Sequence, residues 1–179
     1  MDGKAYLASA LEEFHKLREL AEKAIAQVSA DQLFYAPGPE CNSIAIIMKH
    51  VGGNLRSRWS DALTTDGEKP YRNRDAEFEK EERDTPQSVR ARWDQGWDTV
   101  LATFSGLKPE QVEATMTIRG EPFTVLQATQ RSLTHTSQHV GQIVFAAKLV
   151  AGSGWKTLSI PRGQSVSFNQ APKPYHRKG

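Results

Sequence analysis

The stretch from Phe123 to Val150 limits the fold more than any other part of the chain. It contains no proline and a single glycine, Gly141, and its apolar residues recur at helical spacing. The pattern predicts one long helix, stopped by Ala151-Gly152-Ser153-Gly154. His135 and His139 stand four apart inside it. On a helix that spacing puts both rings on one face, one turn apart, with Cβ atoms about 5–6 Å from each other. Two imidazoles so placed can converge on one metal ion, provided a further ligand comes from elsewhere in the chain.

Three more amphipathic runs precede it. Over residues 3–28, Leu7, Leu11, Phe14, Leu17, Ala21, Ile25 and Val28 recur at three- and four-residue steps. Pro37, Gly38 and Pro39 break the connector that follows, and Asn42 or Ser43 suits the N-cap of a second helix over residues 43–63. Its stripe is Ile44, Ile47, Met48, Val51, Leu55 and Trp59, with His50 on the edge. Gly52-Gly53 in its middle costs about 1 kcal/mol per glycine relative to alanine. A pair of glycines there is consistent with close approach of another helix or of a ligand. Thr85 and Pro86 open a third helix over residues 86–104, and Gly106 ends it. Residues 64–86 form a long charged connector, which is either functional or mobile. Residues 114–121 predict a short hairpin or extended link, and the segment from 152 onward predicts irregular structure, with Trp155, Leu158, Ile160 and Phe168 docking on the helices. Trp59, Trp93 and Trp97 fall at helical spacing and read as core first. The whole is an all-α single domain over residues 1–179, a four-helix bundle with a long second connection.

Composition excludes several classes. A net charge of +2 is too small to point to nucleic acid, and the basic residues Lys173, Arg177 and Lys178 need only be a frayed tail. No run of apolar residues is long enough to span a membrane, and Met1-Asp2-Gly3-Lys4 opens no signal core, so the expected setting is cytoplasmic. Cys41 is the only cysteine, so no intrachain disulfide forms; an incidental thiol is its expected role.

Five histidines are present. His176 lies in the tail and His15 beside the first stripe. His50, His135 and His139 remain, on two helices. Bundles build ligand sites from inward side chains on facing helices, and three imidazoles with an open position match a catalytic zinc site or one for nickel, iron or manganese. Taken singly, a histidine on an apolar helix edge is more often a hydrogen-bonded boundary residue than a ligand. Thr136 stands where a zinc protease motif would have glutamate, so that class is disfavoured.

One histidine early on the second helix, followed by His-x-x-x-His on the fourth, resembles the DinB-like superfamily. So do Ser43-Ile44-Ala45-Ile46-Ile47-Met48-Lys49-His50-Val51, Asp66-Gly67-Glu68-Lys69-Pro70 with Arg72-Asn73-Arg74-Asp75, and Leu158-Ser159-Ile160-Pro161-Arg162-Gly163-Gln164-Ser165. That superfamily includes YfiT-type metal hydrolases and the bacillithiol and mycothiol transferases. The resemblance implies an up-down-down-up four-helix bundle, a three-histidine metal site at His50, His135 and His139, and a homodimer. It also implies a divalent ion, zinc or nickel first, and a small-molecule partner that includes a low-molecular-weight thiol.

The expected chemistry is thiol S-transfer to small electrophiles, with metal-dependent hydrolysis or a non-catalytic, stress-associated metal-binding bundle as alternatives. Asn54, Gln138, Gln142 and Thr136 are candidates to steady the imidazoles. Arg72, Arg74 and Arg162 are candidates to meet an anionic substrate. Each of these also reads as an ordinary surface residue.

Overall fold

Side-chain caps set where the helices begin. The computed structural model describes residues 2–172, so the expectations for Lys173, His176, Arg177 and Lys178 lie outside the described residues. Helix α1 (Gly3–Ile25) starts at Asp2, whose carboxylate accepts from the amides of Lys4 and Ala5. It ends before the predicted Val28, because Ser29 already caps a short helix, α2 (Ala30–Leu33), through a reciprocal box with Gln32. The predicted plain connector therefore hides one turn of helix. Helix α3 (Ile44–Trp59) is capped by Ser43. It stops short of Leu63 because Ser60 is extended and Asp61 adopts a positive φ of 46°. Helix α4 (Pro86–Gly106) opens at Thr85, boxed with Ser88.

Strands β1 (Thr115–Ile118) and β2 (Glu121–Thr124) form an antiparallel hairpin with Ile118 opposite Glu121. Both turn residues have positive φ, 55° at Arg119 and 77° at Gly120, as a two-residue hairpin turn of this hand requires. Arg119 lacks glycine's freedom there, and Asp66 compensates. Its carboxylate accepts from the amides of Arg119 (2.9 Å) and Gly120 (2.8 Å). Phe123 and Thr124 belong to β2, so helix α5 (Val125–Ala151) begins two residues later than its periodicity suggests, capped by Thr124 with Gln127. The tail expected to be irregular contains a short helix, α6 (Ser165–Gln170). Trp155 and Leu158 pack on the core, whereas Ile160 is exposed.

The protein is mostly helical, with this hairpin as the only sheet among the described residues. Helix α3 packs on α4 and α5, and α1 packs on the same two helices. The α3–α4 contact is close because Gly52 faces Gly96: a Cβ on Gly52 would lie 2.5 Å from the Arg92 carbonyl oxygen. Trp59, Trp93 and Trp97 are fully buried core residues. Among the described residues no helix is long and apolar enough to cross a membrane.

Candidate metal centre

Helix α3 turns one side toward α5 and another toward the long connector of residues 64–85. That connector is tied down along its length. Ser57 bridges the Gly67 carbonyl (2.9 Å) and the Lys69 amide (3.0 Å). Lys49, with its side chain 1% exposed, donates to Asp84 (2.6 Å) and to the Glu79 carbonyl (2.7 Å). Between these anchors a short 3-10 turn over Asp75–Glu77 presents Glu77 to α3.

Glu77 decides the state of His50. Its Oε2 lies 2.9 Å from His50 Nδ1, and both side chains are nearly buried. A carboxylate oxygen can only accept, so His50 carries a proton on Nδ1. Arg72 grips the same carboxylate with Nε and Nη2, each at 2.8 Å. Burial alone would raise the Glu77 carboxyl, but the Arg72 fork and His50 outweigh it and hold it below the usual carboxylate range. The ring of Phe78 covers His50 at 4.6 Å between centroids.

The other imidazoles come from α5. His50 Nε2 stands 3.0 Å from His135 Nε2. His139 Nδ1 lies 2.8 Å from Gln142 Oε1, so it donates there and leaves Nε2 free. One ligand atom from each of His50, His135 and His139 falls within 4.8 Å of the other two. Burial, reinforced by His139, His50, Arg72 and Arg131, pushes the His135 imidazole down to about 3. Burial lowers His139 too, against the Gln142 hydrogen bond and with help from His50. Both rings are therefore neutral at pH 7, the form that binds metals.

The three donors could hold a metal ion, and one pair of them already has the spacing for it. Two nitrogens bound at about 2.0–2.1 Å to one ion sit about 3.0–3.4 Å apart, and the His50–His135 spacing lies in that range. Metal-binding histidines ordinarily donate their second N–H to a carboxylate or carbonyl. His50 does so to Glu77 and His139 to Gln142, whereas His135 Nδ1 is buried without a partner among the described residues.

The candidates from sequence divide. Gln142 touches His139. Asn54 lines a cavity shared with His50 and His135 but makes no hydrogen bond to either ring. Gln138 faces outward, into a groove with Gln142 and Phe145. Thr136 is buried, and its hydroxyl has no partner among the described residues. Arg72 is not a solvated loop residue; its side chain is 3% exposed. Arg74 lies 3.9 Å from Asp75 and over the Phe78 ring. Arg162 is exposed on the C-terminal segment, away from the cavity lining. Glu77 and Phe78 were not anticipated. The one available signal was Gly53, where a Cβ would overlap the Glu77 carboxylate.

A family model described as "Protein of unknown function (DUF1572)" matches residues 2–164. The chain belongs to that family. The match runs from the cap of α1 to the end of the loop before α6, so every element that builds the histidine cluster falls within the family domain. Comparisons with curated proteins and with solved structures give no match.

Proposed function

We propose that this family member is a divalent-metal-binding protein of DinB-like type, acting as a metal-dependent thiol S-transferase on small electrophiles. In this reading α1, α3, α4 and α5 form an up-down-down-up bundle around a centre held by His50, His135 and His139. The observation that carries it is the 3.0 Å approach of two ring nitrogens from different helices, one with its opposite nitrogen committed to Glu77. A divalent cation in that site supplies Lewis acidity, which makes a thiol of ordinary pKa a nucleophile at neutral pH.

The chain's own residues do the rest. Glu77 and Gln142 orient two imidazoles, and Phe78 packs against one side of the His50 ring. Cys41 is exposed and lines a different groove from the cavity beside the histidines, so the nucleophile is not a protein thiol. Thiol transfer is put ahead of hydrolysis on the resemblance to thiol transferases; among the described residues no carboxylate lines the cavity as a general base for water, and Glu77 is already held by Arg72 and His50. Zinc or nickel fits three imidazoles first, with iron or manganese as further occupants. A cytoplasmic homodimer completes the reading, with exposed Phe145, Leu149 and Tyr35 around one apolar groove as its support.

Metal analysis of purified protein beside a His50→Ala variant tests the centre: stoichiometric metal in the first and its loss in the second are required. A panel of low-molecular-weight thiols with a chromogenic electrophile tests transfer. Metal-dependent ester or amide cleavage without thiol would replace transfer by hydrolysis. Metal bound, with stability lost on chelation but no turnover, would leave a structural centre.

A further inference from the structure

Beside the histidines lies a cavity of ≈ 210 Å³. Arginines from four separate segments line it: Arg58 from α3, Arg72 and Arg74 from the connector, Arg119 from the hairpin turn and Arg131 from α5. Among the described residues no Asp or Glu is in its lining, and His50 and His135 form part of the same wall. Like charges gathered round so small a space repel one another, and the repulsion strengthens as water is excluded.

The nearby carboxylates do not neutralise the group. Glu68 is shared by Arg58 (3.7 Å), Arg72 (3.4 Å) and Arg119 (3.0 Å), Glu77 holds Arg72 from the far side, and exposed Asp75 lies 3.9 Å from Arg74. Arg131 has no ion-pair partner among the described residues. The decisive residue is Arg58. Its side chain is 3% exposed, so it is not a solvated surface charge, and its Nη1 is buried with no hydrogen-bond partner among the described residues. A buried guanidinium left short of acceptors is costly unless a ligand supplies them.

The geometry points to a small oxyanion, a carboxylate or a phosphate group of the substrate, held by Arg58, Arg119 and Arg131 in the cavity that opens beside His50 and His135. Guanidinium forks recognise both groups bidentately. The cavity has room for one such group and a short attached chain, not for a polymer. The anion would then act as a handle that brings the remainder of the same small molecule to the imidazoles. This inference names the substrate class for the centre proposed above and rests on that reading for its catalytic meaning. The anion site itself can be measured without metal.

The test uses chelated, full-length protein with two probes, inorganic phosphate and succinate, followed by titration calorimetry and by the imidazole nitrogen NMR signals at fixed pH. One probe or both should bind saturably and move the signals of His50 and His135. Whichever binds more tightly identifies the headgroup. Arg131→Ala, at an exposed and unpaired position, and Arg119→Ala should each weaken binding about tenfold or more, the loss of one charge-assisted hydrogen bond. Metal content after reloading should stay at the wild-type level in both. Failure of both probes to saturate would overturn the proposal, as would wild-type affinity in both variants or binding that leaves the histidine signals unmoved. Loss of metal stoichiometry in wild type would sink the metal centre instead, a separate result from the anion titration.

Discussion

Gly53 leaves the space that the carboxylate of Glu77 occupies. A Cβ at position 53 would overlap Glu77 Oε1, the oxygen that accepts from Arg72 Nε. The other oxygen, Oε2, accepts from His50 Nδ1. One missing side chain on α3 thus lets a loop carboxylate reach a buried imidazole one turn earlier on the same helix.

Glu77→Gln should lower metal affinity by about 10–100-fold, the usual loss when a group supporting a ligand is removed. Gly53→Ala should lower it in the same direction by pushing the carboxylate out, while Asn54→Ala, which removes no hydrogen bond to a ring, should leave it nearly unchanged. Competition against a chromophoric chelator measures all three. Equal affinity in Glu77→Gln and wild type would show that the carboxylate does not support the site.

Gly52→Ala tests the helix contact rather than the centre. Its new Cβ would lie 2.5 Å from the Arg92 carbonyl oxygen and 3.0 Å from Trp93 Cα, backbone that cannot rotate away. Overpacking of this kind costs about 1–3 kcal/mol. The urea midpoint should fall accordingly, with an unchanged slope if only the native contact is affected.

The buried pair of Lys49 and Asp84, both side chains 1% exposed, anchors the end of the connector. Asp84→Ala leaves the buried Lys49 ammonium with only the Glu79 carbonyl and, at 3.8 Å, the Glu81 carboxylate, and removing one partner of a buried pair costs up to about 3–5 kcal/mol. Lys49→Met combined with Asp84→Ala should recover part of that loss, because no uncompensated charge remains. Chemical denaturation of the singles and the double closes the cycle. A double variant no more stable than Asp84→Ala would contradict this account.

Chelated protein should lose stability as the solution is acidified. In the unfolded chain each imidazole takes a proton near pH 6.5. Folded His135 stays neutral until about pH 3, and His139 is shifted in the same direction. Between those limits the unfolded state binds more protons, so stability is full above about pH 6.5 and declines as pH falls toward 3. Replacing His135 by glutamine should flatten thermal melting against pH across that window. An unchanged slope would mean that His135 titrates normally.

Much of the helical framework could be read from the chain. Ser43, Thr85 and Pro86 mark the starts of α3 and α4, and the stripe of Val89, Trp93, Trp97 and Val100 is the one buried on α4. Helix ends were less legible. Nothing periodic announces that Asp61 turns to positive φ, or that Phe123 pairs with Met116 instead of joining α5. The connector misled most. Arg72 and Glu77 sit in a charge-rich run whose composition matches a solvated loop, yet both side chains are nearly buried because each supplies the other's charge and hydrogen bonds.

The sequence by itself determined the helices, their apolar faces and the His135–His139 pair, since each of these depends on neighbours within a turn or two. Only the tertiary structure decided that His50 meets them, that Glu77 fixes its proton and that arginines from four segments share one cavity. Those contacts join residues far apart in the chain, and no local periodicity encodes them. They arise where glycine-lined helices close up and where buried charges must find partners.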